Sequence, residues 1–260
     1  MVMLFSQSEN ANTEVGELVE RPMVDLEVDD GLAIVTIDRP HARNAISLDT
    51  MHRLDEALDG AEGARALVIK GAGDKAFVSG GDLKELSAIR TETEAAAMAW
   101  RMRKVCDRIA AFPGPVLAAL NGHALGGGAE VAVAADIRLA ADDVKIGFNQ
   151  VALEIMPAWG GAERLSALVG KSQALLLAGT GAVLSAADAE RVGLIQRVVP
   201  RESFEDEWRA VARKLAATPV KAIKRVIAGT TKDDAVSAFA SLWVSDAHWA
   251  AADKVMNRGK

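Results

Sequence analysis

Two hydrophobic periods follow one another along the first part of the chain. Val24, Leu26 and Val28 alternate with polar residues, and a second apolar run, 32–37, follows Asp30-Gly31. Two such runs around Asp-Asp-Gly predict a β-hairpin. Leu48, Met51, Leu54 and Leu58 then recur at helical spacing toward Gly60. Residues 65–70 read as a short buried-type strand, and 76–79 as a second one closed by Gly80-Gly81. An Ala-rich helix is predicted over 93–111, stopped by Pro113-Gly114-Pro115. A strand over 116–120, a helix opened by Gly126-Gly127-Gly128 and running to about 135, and a strand over 137–140 continue the pattern.

Strands and helices that alternate in this way predict an α/β fold with largely parallel sheets. Past Pro200 the strand signals stop. Segments 204–217, 220–228 and 234–256 read as helices, punctuated by Pro219 and Gly229. The chain therefore divides into a polar, acidic, aperiodic tail over 1–22, a core over 23–199 and a helical region over 200–260.

Composition narrows the function classes. Half of the 260 residues are hydrophobic, enough for a sizeable core. The single cysteine, Cys106, excludes an intrachain disulfide framework and a Cys-rich metal site, and it fits a reducing cytoplasm. A net charge of −6 argues against a nucleic-acid partner. The longest apolar-rich stretch, 115–135, is interrupted by Asn121, His123, three glycines and Glu130, which makes a poor membrane span. The scattered histidines offer no metal-ligand spacing.

Two stretches carry candidate chemistry. In Lys75-Ala-Phe-Val-Ser-Gly-Gly-Asp-Leu-Lys84, adjacent glycines after a strand let a ligand approach the main chain, where an unpaired N–H can donate to an oxyanion. The plainer reading is an ordinary strand-to-helix turn. In Asn121-Gly-His-Ala-Leu-Gly-Gly-Gly-Ala-Glu130, three glycines precede an apolar helix whose first turn has unpaired N–H groups. Glu130 follows Gly127 by three residues, so its side chain and the Gly127 backbone share a helix face. One oxygen-binding N–H and one carboxylate then point at the same small volume. That arrangement suits stabilising an enolate while moving a proton at its α-carbon. A Glu favoured only by the helix dipole is the alternative, but Val131-Ala-Val-Ala-Ala135 implies burial, which is costly for an idle carboxylate.

These two stretches resemble the paired signatures of the crotonase, or enoyl-CoA hydratase/isomerase, family. Arg43-Asn-Ala-Ile, Ala134-Ala-Asp-Ile137, Pro157-Ala-Trp-Gly-Gly-Ala-Glu-Arg-Leu165, Gly179-Thr180 and Ala186-Ala-Asp-Ala189 are similar as well. The resemblance implies a spiral of β-β-α units with C-terminal helices that assemble trimers, or hexamers as pairs of trimers. It implies acyl-CoA substrates whose thioester oxygen is held by the backbone N–H groups of Gly81 and Gly127, with Glu130 as acid/base. Asp82, Leu83 and Lys84 would border the thioester and pantetheine. No metal or redox cofactor is implied; CoA arrives with the substrate.

The sequence departs from the family at the second glutamate of its hydratases, where it carries Gln150. An amide can orient water but moves no proton at neutral pH. Glu154 lies one helical turn on and is a candidate to supply the missing carboxylate, against the alternative of a solvent-facing residue. Trp159 replaces a residue that is small in many hydratases and resembles members that decarboxylate branched malonyl-type CoA esters. Its ring either narrows the acyl pocket or packs in the core. The expected reaction is hydration of a 2-enoyl-CoA. The alternatives are a one-carboxylate isomerisation or decarboxylation, and a non-catalytic acyl-CoA-binding protein. Phe239, Trp243 and Trp249 on the last helix suit either a subunit contact or an internal core.

Overall fold

The hairpin forms where the alternation places it. In the computed structural model, which describes residues 22–217 and 219–258, β1 (Val24–Asp29) and β2 (Leu32–Ile37) pair antiparallel. The expected tail over 1–22 lies, apart from Pro22, outside the described residues. Ser47 caps α1 (Leu48–Gly60), its hydroxyl accepting from Thr50 N at 3.1 Å, and Met51, Leu54 and Leu58 face the core. There follow β3 (Ala66–Gly71), β4 (Ala76–Val78), α2 (Leu83–Leu86) and α3 (Glu92–Ala110), the last opened by a Thr91/Glu94 capping box. Next come β5 (Val116–Leu120), β6 (His123–Leu125), α4 (Gly127–Ala134), β7 (Ile137–Ala141) and β8 (Lys145–Gly147). A 3₁₀ turn, Asn149–Leu153, leads to α5 (Gly161–Val169), α6 (Lys171–Thr180), β9 (Val183–Ser185), α7 (Ala186–Arg191) and β10 (Arg197–Val199). The chain ends in α8 (Phe204–Ala217), α9 (Val220–Ile227), α10 (Lys232–Trp243) and α11 (Asp246–Met256).

Two sheets result, ordered β1-β2-β3-β5-β7-β10 and β4-β6-β8-β9. From β2 to β10 the first sheet is parallel, as are β4, β6 and β8 in the second. Each of the pairs β3/β4, β5/β6 and β7/β8 gives one strand to each sheet before the chain turns into a helix. This is the spiral of β-β-α units that the resemblance implies.

Two buried asparagines hold the crossing between the sheets. Asn121 accepts from Gly71 N at 2.8 Å and donates to Gly73 O at 2.7 Å; Asn44 donates to Ala76 O at 2.8 Å. They satisfy the backbone of the β3–β4 turn, which would otherwise be buried unpaired. Behind them every residue of α4 is buried. Arg138, also buried, donates to Ala135 O at 2.7 Å just past the end of α4, and to Leu194 O at 2.7 Å. A guanidinium at a helix C-terminus complements the dipole that the same helix presents to the site. Burial pushes its pKa down to about 10.

The expected helix over 234–256 is two helices. Ser245 breaks it, its hydroxyl accepting from His248 N at 3.2 Å as the cap of α11. The Phe239, Trp243 and Trp249 rings stack on one another yet remain 61%, 46% and 46% exposed, so they form no internal core among the described residues.

Candidate active site

The second sheet brings the two glycine stretches together. Ile46 donates to Gly80 O at 2.8 Å and accepts from Asp82 N at 2.9 Å. Those bonds flank Gly81, whose own N–H has no partner among the described residues. Gly127, the first residue of α4, likewise donates to no group among them. Gly80 lies against Gly127 N, 3.6 Å from where a Gly80 Cβ would stand. Two free N–H groups therefore border one cavity of about 560 Å³, lined also by Glu130, Gln150 and Trp159.

Glu130 is 2% exposed. Its Oε2 accepts from Trp159 N at 2.7 Å and Gly161 N at 3.0 Å, at the start of α5. Its Oε1 accepts from Gln150 Nε2 at 2.9 Å. Burial raises the carboxyl pKa above the ordinary 4.5, against the opposing pull of the Gly161, Trp159 and Gln150 hydrogen bonds. Two of its four lone-pair sites are filled on Oε2 and one on Oε1, which leaves one on Oε1. Gln150 Oε1 is buried and accepts from nothing among the described residues. A deep acceptor without a donor calls for one from a bound molecule.

Trp159 does both things its size allows. Its ring lies on the Gly127 Cα, where a Cβ would stand 2.5 Å from Cη2, and reaches to 4.0 Å from the Cβ position of Gly81. It is buried, and it walls the cavity between the two glycines. Gly127 is thus required as glycine by the close approach of the indole.

The sequence matches the enoyl-CoA hydratase/isomerase family over residues 27–240. The chain belongs to that family. It is 37% identical over 202 residues to the short-chain-enoyl-CoA hydratase of Clostridium acetobutylicum, covering 76% of this chain and 77% of that one. It is 38% identical over 205 residues to the crotonyl-CoA hydratase of Syntrophomonas wolfei, at 76% and 77% coverage. Among solved structures, the enoyl-CoA hydratase of Mycobacterium smegmatis matches with a TM-score of 0.82 and 27% identity, over 92% of this chain and 97% of that one. The enoyl-CoA hydratase of Bacillus anthracis matches at 0.78 and 29%, over 87% and 92%. The chain is an enzyme of the hydratase/isomerase type.

Three residues expected at this family's site stand apart from the cavity. Glu154 ends the 3₁₀ turn in the left-handed conformation, φ 56°, which turns it into solvent rather than one α-helical turn above Gln150. It does not line the cavity. Asp82 caps α2, accepting from Glu85 N at 3.3 Å, and pairs with Arg39 at 2.9 Å. Lys84 is exposed on α2, whereas Leu83 lies on the cavity rim.

Sequence reasoning missed a second cavity of about 520 Å³, whose charged and titratable lining is Arg43, Lys75, His123 and Arg201 together with Asp74 and Asp143. It meets the first at Ser79, which lines both. Arg201 pairs with Asp143. Arg43 and Lys75 make no ion pair among the described residues. Two unpaired cations within the motif stretches Arg43-Asn-Ala-Ile and 75–84 were the available signal.

Proposed function

We propose that the protein hydrates 2-enoyl-CoA thioesters, with Glu130 as its acid/base. The observation that carries this reading is a buried carboxylate with a raised pKa beside two free backbone N–H groups. The thioester oxygen binds Gly81 N–H and Gly127 N–H. Water donates one hydrogen to the open lone pair of Glu130 Oε1 and the other to Gln150 Oε1, which turns its own lone pair toward C3. As the C3–O bond forms, Glu130 takes the proton and the π electrons move into the thioester as an enolate. With one carboxylate present, the proton taken from water is the one returned to C2. Oxyanion donors contribute about 10²–10³ and a positioned acid/base about 10²–10⁴.

Arg43 and Lys75 of the second cavity, which lie there beside Asp74, support this cavity as the place of the CoA phosphates and would give an anionic ligand positive charge on a chain of net charge −6. The apolar faces of α9 to α11 support assembly of several copies of this chain, as a trimer or a pair of trimers. Among the described residues no helix is long and apolar enough to cross a membrane. A single buried cysteine, kept as a free thiol, supports the cytoplasm as the enzyme's location. The test of the reaction is loss of enoyl absorbance from crotonyl-CoA. Neutralising Arg43 and Lys75 together should raise KM and leave kcat near its starting value; an unchanged KM removes them from the CoA site. Gln150, which transfers no proton at neutral pH, favours a second reading in which Glu130 alone moves a proton between C2 and C4 of an enoyl chain. Conversion of a 3-enoyl-CoA with no water uptake decides for it.

A further inference from the structure

Glu130 owes its two Oε2 hydrogen bonds to a short loop, and that loop is held from outside the cavity. The donors are the N–H groups of Trp159 and Gly161. Between them lies the peptide joining Trp159 to Gly160. Its carbonyl accepts from Arg164 Nη1 at 3.1 Å. The Arg164 guanidinium folds back across Gly160 to reach it, occupying the space that a side chain there would need. Its other nitrogen, Nη2, donates to Asp107 of α3, and the side chain is 19% exposed. Beside this pair Arg103 of α3 bonds Glu163 of α5 at 2.8 Å and approaches Asp107 at 3.9 Å. One ionic cluster thus ties α3 to the first turn of α5 and fixes the peptide that sits between the two donors.

We propose that Arg164, anchored by Asp107, is a positioning residue for the acid/base: by clamping the Trp159 carbonyl it keeps both loop N–H groups on Glu130 Oε2. Its contact is with the loop and not with the carboxylate. Nothing in the hydration chemistry touches Arg164, although it belongs to the motif 157–165. The inference rests on Glu130 being the acid/base, as proposed above.

The consequence is electrostatic. Arg103 and Cys106 of α3 feel the Glu130 charge; the other titratable groups on the elements packed against α4 include Asp107 of α3, Glu163 and Arg164 of α5, Arg138 of β7 and the exposed His123 of β6. α4 carries no other charged residue, and β4 and β5 carry none. Burial favours the neutral acid, and the hydrogen bonds to Oε2 oppose it. If the clamp is lost the loop relaxes, that opposition weakens, and the carboxyl titrates at higher pH. A rate that needs the carboxylate then falls at neutral pH and recovers as the pH rises.

The test reads Glu130 directly, by isotope-edited infrared titration of its carboxyl in the intact protein without substrate, with Glu130→Gln identifying the band. In Arg164→Met the midpoint should lie about one unit or more above that of the unaltered protein. Arg164→Lys should fall between them, and Asp107→Asn should shift the same way by less. The acid limb of the kcat/KM profile for crotonyl-CoA should move with the midpoint. A folded Arg164→Met with an unmoved midpoint overturns the proposal, as does an activity loss uniform across pH. If Arg164→Met does not fold, unmoved midpoints in both Arg164→Lys and Asp107→Asn overturn it. Midpoints that move as expected in a protein that hydrates no enoyl-CoA leave the clamp standing and sink the hydratase reading instead.

Discussion

Helix α4 and the three last helices treat their apolar surface in opposite ways. Every residue of α4 is buried, including Glu130 at 2% exposure, while α9, α10 and α11 contribute no buried residue. The first is closed by the chain's own contacts: two sheets, α3 and α5 surround it, and Arg138 completes its C-terminal end. The others expose Ile227 at 80%, Val236 at 66% and the Phe239–Trp243–Trp249 cluster. The difference separates apolar surface that this chain covers itself from apolar surface that the described residues leave open, which the proposed assembly would cover. A low-dielectric site for a carboxylate is finished within the chain; the tail's apolar faces are not.

The largest expected effect comes from the buried end. Glu130→Gln should lower crotonyl-CoA hydration by about 10³ or more, read as absorbance loss; a surviving rate removes Glu130 as the acid/base. The same variant should melt higher than the unaltered protein at neutral pH. The sign follows from linkage. Glu130 has a folded pKa above its unfolded value, so the folded state binds the extra proton and stability falls as pH rises through the interval between them. Below the unfolded value, near 4.5, the carboxyl is neutral in both states and the advantage of the amide should vanish. The substituted side chain, now an amide, would also let the Gln150 amide turn and give its orphan oxygen a donor. Melting curves at several pH values check this, and a gain that persists in acid contradicts the linkage.

Gly127 links the carboxylate to the indole. Gly127→Ala sets a methyl into the Trp159 ring and should displace the backbone N–H proposed to hold the thioester oxygen. A loss of about 10² in kcat is expected, comparable with deleting one oxyanion donor. Adding Trp159→Ala should return part of it, because the clash and not the methyl itself moves the N–H. Failure of that double variant to recover any rate breaks the proposed link between the ring and the oxyanion site.

Much of the buried end is legible in sequence. The triple glycine, the carboxylate three residues on and the apolar run behind it give helix, burial and chemistry together. The missed strands β6, β8, β9 and β10 have three residues each, too few for alternation to be seen, and the helices α5 and α6, of nine and ten residues, were missed as well. Of the two readings of Glu154 the solvent-facing one holds, because i and i+4 stack only in an α-helix, and the chain there is a 3₁₀ turn that ends at positive φ. Arg164 was visible as motif text, but its role depends on folding back over Gly160 to a residue on another helix. The tail's aromatics were plain in sequence, and only the fold decides that they find no cover within the described residues.

A smaller effect is expected at the tail. Trp243 sits 5.6 Å from Phe239 and 5.7 Å from Trp249, ring to ring, at the centre of the cluster. Trp243→Asp should convert the assembled species to single chains by light scattering, while Glu130→Gln should leave assembly unchanged. Activity should fall by about tenfold or less, because the site is built within one chain. A mass unaffected by Trp243→Asp would leave those faces without the role given them.

The finest test returns to Gln150, which stands where the family resemblance implies a second glutamate. Gln150→Glu puts a second carboxyl against Glu130 Oε1, where the amide nitrogen now lies at 2.9 Å. Two buried carboxylates at that distance repel, so the second ionises only at raised pH; the pair holds one proton over a range of pH and titrates in two macroscopic steps. The introduced carboxyl, when protonated, replaces the lost N–H by donating to Glu130, and it also holds a proton that C2 can receive directly. Hydration should therefore rise several-fold, and its pH profile should gain an alkaline limb that the natural protein lacks, because the rate is lost once the second proton leaves. If the rate does not rise and no alkaline limb appears, proton supply at position 150 is not what limits this enzyme. The amide would then be the better partner for a site that works with one carboxylate.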